Sequence, residues 1–203
     1  MIDLMNGAHA ARKYVNDYLA HDIPRRLVTY RNGWNLDSTA LPDPVEYIYH
    51  EPLAIDEWPT VITTVLSTNQ VQRIEWAYGN PLYRVSYSMR TYVWVKADDS
   101  LSCGIMRDRL TTVLRAAFLD YPCLKAFDSR TSFRAVIDES SIREEFSDIT
   151  LLKGDRVMSG AFISYTLEMD EVVAREDVGE VDEIELIAVQ VGNGEEFPDL
   201  GDL

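Results

Sequence analysis

The sequence predicts an α+β fold: an antiparallel, in part mixed, β-sheet with two α-helices packed on one face, plus an extended C-terminal arm. Three observations predict it. Residues 81–96 alternate apolar and polar with period two, residues 101–121 switch to a helical period, and a second alternating run fills 157–173. A further helical stretch opens the chain and shorter β-branched runs lie between, an order that gives a sheet with its helices on a single face. The α+β domain is expected over 1–175 and the acidic arm over 176–203.

Ile2 to Ile23 reads as the first helix, with Met1, Met5, Ala8, Val15 and Leu19 near one face and Asp3 as its cap. Pro24 is expected to end it, because proline lacks the N–H that an interior helical position donates. Arg25–Tyr30 then reads as a short strand with Leu27 inward, and Asn32-Gly33 as a two-residue turn. Trp34–Pro44 has no period and is expected to be loop. Val45–Tyr49 and Thr60–Leu66 are strand candidates, the latter rich in β-branched residues. Ser67–Gln70 is expected to separate it from a further run, Val71–Tyr78. Gly79-Asn80-Pro81 then turns the chain, so 71–78 and 82–96 are hairpin partners.

In the long strand Tyr83, Val85, Tyr87, Met89, Thr91, Val93 and Val95 share the face meant for the core. Leu82, Arg84, Ser86, Ser88, Arg90, Tyr92, Trp94 and Lys96 share the other. Asp99 or Ser100 is placed to cap the next helix, whose stripe is Cys103, Met106, Leu110, Val113, Leu114, Ala117 and Tyr121, with Arg107, Asp108, Thr111 and Arg115 facing away. Pro122 stops it. Thr131–Ile137 reads as a strand with Phe133, Ala135 and Ile137 on one side. Asp138–Asp148 is polar and mixed, readable as a strand end, a loop or a helical turn at 140–146. Val157–Val173 is the second long strand, with Ala161, Ile163, Tyr165, Leu167 and Met169 inward.

Composition narrows the function. A net charge of -15 and a pI of about 4.5 repel nucleic acid at long range, which argues against a groove that grips DNA but suits a surface DNA slides past. Cys103 and Cys123 lack metal-ligand spacing and read as buried thiols. No charged-then-apolar leader opens the sequence, and no run approaches the roughly 20 apolar residues of a membrane span. His9, His21 and His50 lie in separate segments without helical metal spacing. No nucleophile elbow, phosphate loop, dinucleotide fingerprint or Cys-x-x-Cys occurs. Neither a catalytic residue nor a cofactor nor a metal is expected. One enzymatic alternative stays open: Asp138, Glu139, Glu144 and Glu145 could hold Mg²⁺ for a nuclease or other hydrolase, since hard cations take several oxygen ligands. The aromatics Trp76, Tyr78, Tyr83, Tyr87, Tyr92 and Trp94 lack the basic surround of a base-stacking platform and read as core or subunit packing. Arg84, Arg90, Tyr92 and Trp94, on the non-core face, are candidate inter-subunit contacts, as are Ile184, Leu186 and Phe197 of the arm.

The stretch YRVSYSMRTYVWVKADDSLSCGIMRDRLTTVLRAAF, preceded by an N-terminal helix and followed by two further strands, resembles the tail terminator proteins of long-tailed bacteriophages, the lambda type in particular. The likeness lies in the order of elements over about residues 1–170. The chain adds a loop at 32–58 and the acidic arm to the smaller family members. The family has no invariant catalytic residue to carry over. The resemblance implies a structural virion protein: a hexameric ring that caps the tail tube, stops its polymerisation and offers a head–tail joining face. Tail-tube protein and head-side connector or adaptor proteins would be its partners. Genomic DNA would pass through the lumen without specific binding, and no membrane is involved. It also implies assembly in the host cytoplasm and residence in the virion tail or neck. A head-completion or neck adaptor beneath the portal is the alternative of the same class.

Overall fold

The structure, a computed structural model, describes residues 7–52, 54–77, 80–120, 122, 124, 135–146, 151–153 and 156–173. Its elements are α1 (Gly7–Trp34), β1 (Glu46–Ile48), β2 (Thr60–Ala77), β3 (Asn80–Ala97), α2 (Ser100–Asp120), β4 (Ala135–Phe146), β5 (Leu151–Lys153) and β6 (Arg156–Val172). The strands form one mixed sheet in the order β1-β2-β3-β6-β4, with β5 also on β6. β1 runs parallel to β2 and every other pairing is antiparallel. β5 and β4 lie along the same edge of β6, at Arg156–Met158 and Ala161–Met169, and act as one interrupted strand. The chain divides at Val173/Ala174. The second unit, 174–203, lies outside the described residues, and with it Ile184, Leu186 and Phe197.

The two long strands pair as their alternation requires. Val85, Tyr87, Met89, Thr91, Val93 and Val95 stand opposite Met169, Leu167, Tyr165, Ile163, Ala161 and Ser159, and all twelve are buried. One core joins this face to both helices. α2 contributes Cys103, Leu110, Val113, Leu114 and Ala117, as the stripe predicted. Thr111 and Phe118 are buried too, which corrects the assignment of Thr111 to the outward face. Its hydroxyl donates to the Arg107 carbonyl at 2.8 Å, so its polar atom is satisfied inside the helix. Phe118 stacks at 4.7 Å from Tyr165. Asp99 caps the helix, accepting from the Ser102 N–H at 2.9 Å. The Cys103 thiol donates to the Val157 carbonyl at 3.3 Å, a buried free cysteine as expected. Tyr121 and Cys123 lie outside the described residues.

Three boundaries differ from the sequence reading. α1 does not stop at Pro24; it runs on to Trp34. Ala11, Val15, Leu19, Ile23 and Leu27 recur every fourth residue and are all buried, and Asp22 pairs with Arg26 across the proline. Ala8 is exposed. The end of α1 is a Schellman cap: Asn35 takes φ 53°, its N–H donates to Asn32, and the Leu36 N–H donates to Arg31 at 2.9 Å. Asn32-Gly33 is thus the last helical turn and no hairpin. Second, 60–77 is a single strand. The expected break at 67–70 is taken up by β-bulges that each add one residue to β2, at Leu66, Asn69 and Ile74. The β2–β3 hairpin itself is as expected, pairing through to Ala77↔Asn80. Third, β4 continues to Phe146, with a register shift between Asp138 and Arg143. There the Ser141 hydroxyl accepts from the Thr166 N–H at 2.8 Å, replacing a ladder bond. Ala135 and Ile137 face the core as predicted, while Phe133 lies outside the described residues.

Candidate assembly interface

The two helices pack on one face of the sheet; the other is its outer face. Arg84, Arg90, Tyr92 and Trp94 all stand on this outer face of β3, half-buried. Each is engaged by β6. Trp94 lies opposite Gly160, and a Cβ at Gly160 would come within 2.9 Å of the indole. The missing side chain therefore makes room for the ring to lie against the strand. Tyr92 lies opposite Phe162, ring centroids 5.4 Å apart. The Arg90 guanidinium sits 4.0 Å from the Phe162 centroid and donates to the Tyr92 hydroxyl at 3.3 Å. Arg84 grips Asp170 with two hydrogen bonds, 2.9 and 3.3 Å; these bonds are the leading cause that raises its pKa above the ordinary arginine value. On β2, Ile62 stands beside Tyr92 and is buried. A row of Ile62, Tyr92 and Phe162 thus crosses three strands, with Trp94 and Arg90 flanking it. Cross-strand pairs of this kind contribute about 0.2–1 kcal/mol each and hold the aromatic surface in one geometry.

Gly160, Phe162 and Asp170 were not singled out from the sequence. Their signal was present, since they are the outward positions of the second long strand, but their partners follow only from the β3–β6 register. The six aromatics weighed as a platform do not share a face. Tyr83 and Tyr87 stand on the core side and Tyr92 and Trp94 on the outer side. The Trp76 side chain and Tyr78 lie outside the described residues.

The sheet margins are the second feature. β1 covers the outer edge of β2 only at Thr60–Ile62, and from Thr63 to Ala77 no described strand lies along it. Leu66, Val71 and Ile74 are exposed there at 49, 61 and 41%, an apolar content unusual for a free edge. The far margin is β4.

Two of the four acids of the hydrolase alternative, Asp138 and Glu144, have other partners. Glu144 accepts from Arg115 of α2 at 2.7 Å. Glu145, the next residue along the strand, projects to the opposite face. Asp138 accepts from the backbone and hydroxyl of Ser140 at 3.0 and 2.7 Å. Among the described residues no three His, Cys, Asp or Glu side chains form a group that could hold a metal ion. His9 packs edge-on to Tyr49 at 5.6 Å, and Tyr49 in turn to His50 at 6.2 Å. Among the described residues no helix is long and apolar enough to cross a membrane. No protein-family model matches the chain, and no curated protein matches it.

Proposed function

We propose that this chain is a ring-forming structural virion protein, a tail terminator that caps the tail tube, stops its growth and joins tail to head, and that it acts without bond-making chemistry. The observation that carries the reading is the one-sided sheet: one face packed against α1 and α2, the other carrying an ordered aromatic–arginine surface, with an apolar edge on β2 along which no described strand lies past Ile62. A ring needs two different complementary surfaces on each copy, and the outer sheet face beside the β2 edge supplies candidates for both. The order helix, strands, long strand, helix, strands supports the same reading. The net charge of -15 suits a lumen that denies DNA phosphates a partner.

Mass photometry of the purified full chain tests it. The expected species has six times the 23.2 kDa chain mass, and the ring should bind tail-tube ends. A monomer at every concentration that never associates with tail tubes overturns the reading. Binding to the portal-side protein in place of tail tubes replaces it with the neck adaptor. Calorimetric titration with Mg²⁺ and Mn²⁺ addresses the hydrolase, and binding heat accompanied by DNA cleavage would overturn the structural role.

A further inference from the structure

Among the described residues four buried side-chain polar atoms have no hydrogen-bond partner: Arg12 Nε, Asn16 Oδ1, the Tyr47 hydroxyl and Glu144 Oε1. Three of the four belong to α1 and β1, which pack against each other. The seam between them is built from a polar face of α1. His9, Arg12 and Asn16, spaced three and four apart, share one side of the helix. His9 packs edge-on to Tyr49, Arg12 pairs with Glu51 at 3.2 Å, and the Asn16 amide donates to the Tyr47 carbonyl at 3.4 Å. The apolar stripe from Ala11 to Leu27 goes to the core instead.

These seam contacts are weak ones. The Glu51 side chain is 74% exposed, so water and salt screen its pairing with Arg12. A separation of 3.4 Å is long for an N–H···O bond. Asn16 is 5% exposed, yet its amide oxygen accepts nothing. β1 also holds to the sheet by little. It has three residues, pairs with β2 only at Thr60–Ile62, and is preceded by one further bond, Val45 N–H to the Pro59 carbonyl at 2.8 Å. Ile48 is buried and Tyr47 packs against the core, which seats the strand. Opening the seam returns three unpartnered polar atoms to water, so it costs less than opening one whose polar atoms are paired. Segments held in this way open locally while the core stays folded.

We propose that residues 45–51 form a strap that opens from α1 and β2 as one unit while the rest of the sheet stays folded. Ile48 is the register partner of Ile62, so the closed strap extends the row of Ile62, Tyr92 and Phe162 onto a fourth strand of the outer face. Opening ends that row at Ile62 and releases the β2 backbone at Thr60–Ile62 from its neighbour. The strap is thus a conformational control on the outer face. The inference stands on the seam alone and does not rest on the ring reading.

Native-state hydrogen exchange on the full chain tests it, with the Val45 amide as reporter because it is bonded to Pro59. Relative to intrinsic rates, Val45 is expected to exchange at least about 100-fold faster than Val93 and Ile163 in the central strands. The core variant Leu110→Ala should speed Val93 and Ile163 and leave Val45 unchanged. Equal protection at all three sites, or a Val45 rate that rises in step with the other two, means that the segment opens only with the whole domain and overturns the proposal. Tyr47→Phe removes one unpartnered hydroxyl and keeps the ring. It should slow Val45 exchange several-fold; an unchanged or faster rate also overturns the proposal, since the seam would then not be loosened by its unpartnered atoms.

Discussion

At Gly160 a single absent carbon decides how Trp94 lies. A Cβ there would meet Cε3 and Cζ3 of the indole at 2.9 Å, well inside the optimal carbon separation of about 3.5–4.0 Å. Gly160→Ala is expected to destabilise by about 1–3 kcal/mol through overpacking, and much less in a Trp94→Ala background. Urea denaturation of the double-mutant cycle measures the coupling; additivity within about 0.5 kcal/mol would show that the ring is not held by the glycine. The buried tyrosines give a pH prediction. Burial, and then the charge of Asp22, pushes the Tyr18 hydroxyl up to about 12. Burial leads the upward shifts of Tyr47, Tyr87 and Tyr165 as well, with the Glu171 hydrogen bond second for Tyr87. The unfolded chain loses these protons near pH 10 while the folded chain keeps them. The unfolded state then binds fewer protons, so stability is full below about pH 10 and falls as pH rises through the folded values. Each such tyrosine contributes a slope approaching about 1.4 kcal/mol per pH unit in that window. Urea midpoints on the alkaline side should fall, with tyrosinate absorbance from these four appearing together with unfolding. Titration of these four in the folded protein near the ordinary tyrosine value would contradict their burial.

At the scale of elements, Pro24 sets a local rule against a packing gain. An interior proline costs about 3 kcal/mol by removing an N–H and crowding the carbonyl one turn back, here that of Ala20. Burying Ile23 and Leu27, both within 1% of full burial, contributes about 1.5–3 kcal/mol each, so the helix runs on. Pro24→Ala is therefore expected to stabilise by about 1–3 kcal/mol in thermal or chemical unfolding; a loss of stability would mean the proline sits in a true break. For α2, Leu110→Ala should cost about 2–5 kcal/mol, and a change below about 1 kcal/mol would place the stripe wrongly. The α2 stripe was legible because one face meets one core. The continuity of β2 through 67–70 was not legible, because each bulge adds a residue and flips the phase of a period-two pattern. The runs on either side, Thr60–Leu66 and Val71–Tyr78, read as strands, but a window that crosses Leu66 and Asn69 loses the alternation between them. β4 beyond Asp138 was hidden for a related reason: its ladder bond is made by the Ser141 side chain, while Glu144 pairs with Arg115 and Asp138 with the Ser140 turn.

For the whole molecule, the proposed assembly and the fold should separate on truncation. The arm 176–203 carries ten carboxylates and no cation (Glu176, Asp177, Glu180, Asp182, Glu183, Glu185, Glu195, Glu196, Asp199 and Asp202). A chain ending at residue 175 is expected to keep the unfolding midpoint of the first unit and to lose its largest oligomer in mass photometry. If the oligomer persists, the contacts lie on the sheet and the arm has another role. Ile184, Leu186 and Phe197 are the arm positions to substitute first.

The sequence by itself determined the class of fold, the faces of both long strands and the packed stripe of α2. Period two and period 3.6 leave one way to bury those apolar residues, and the choice is local. Only the tertiary structure decided that α1 passes through Pro24, that Gly160 seats Trp94, and that Glu171, buried near the end of β6, takes the first N–H of α1. Those outcomes rest on contacts between residues far apart in the chain, Gly7 and Glu171 being 164 positions apart. Their energies enter only once the sheet register has brought the partners together.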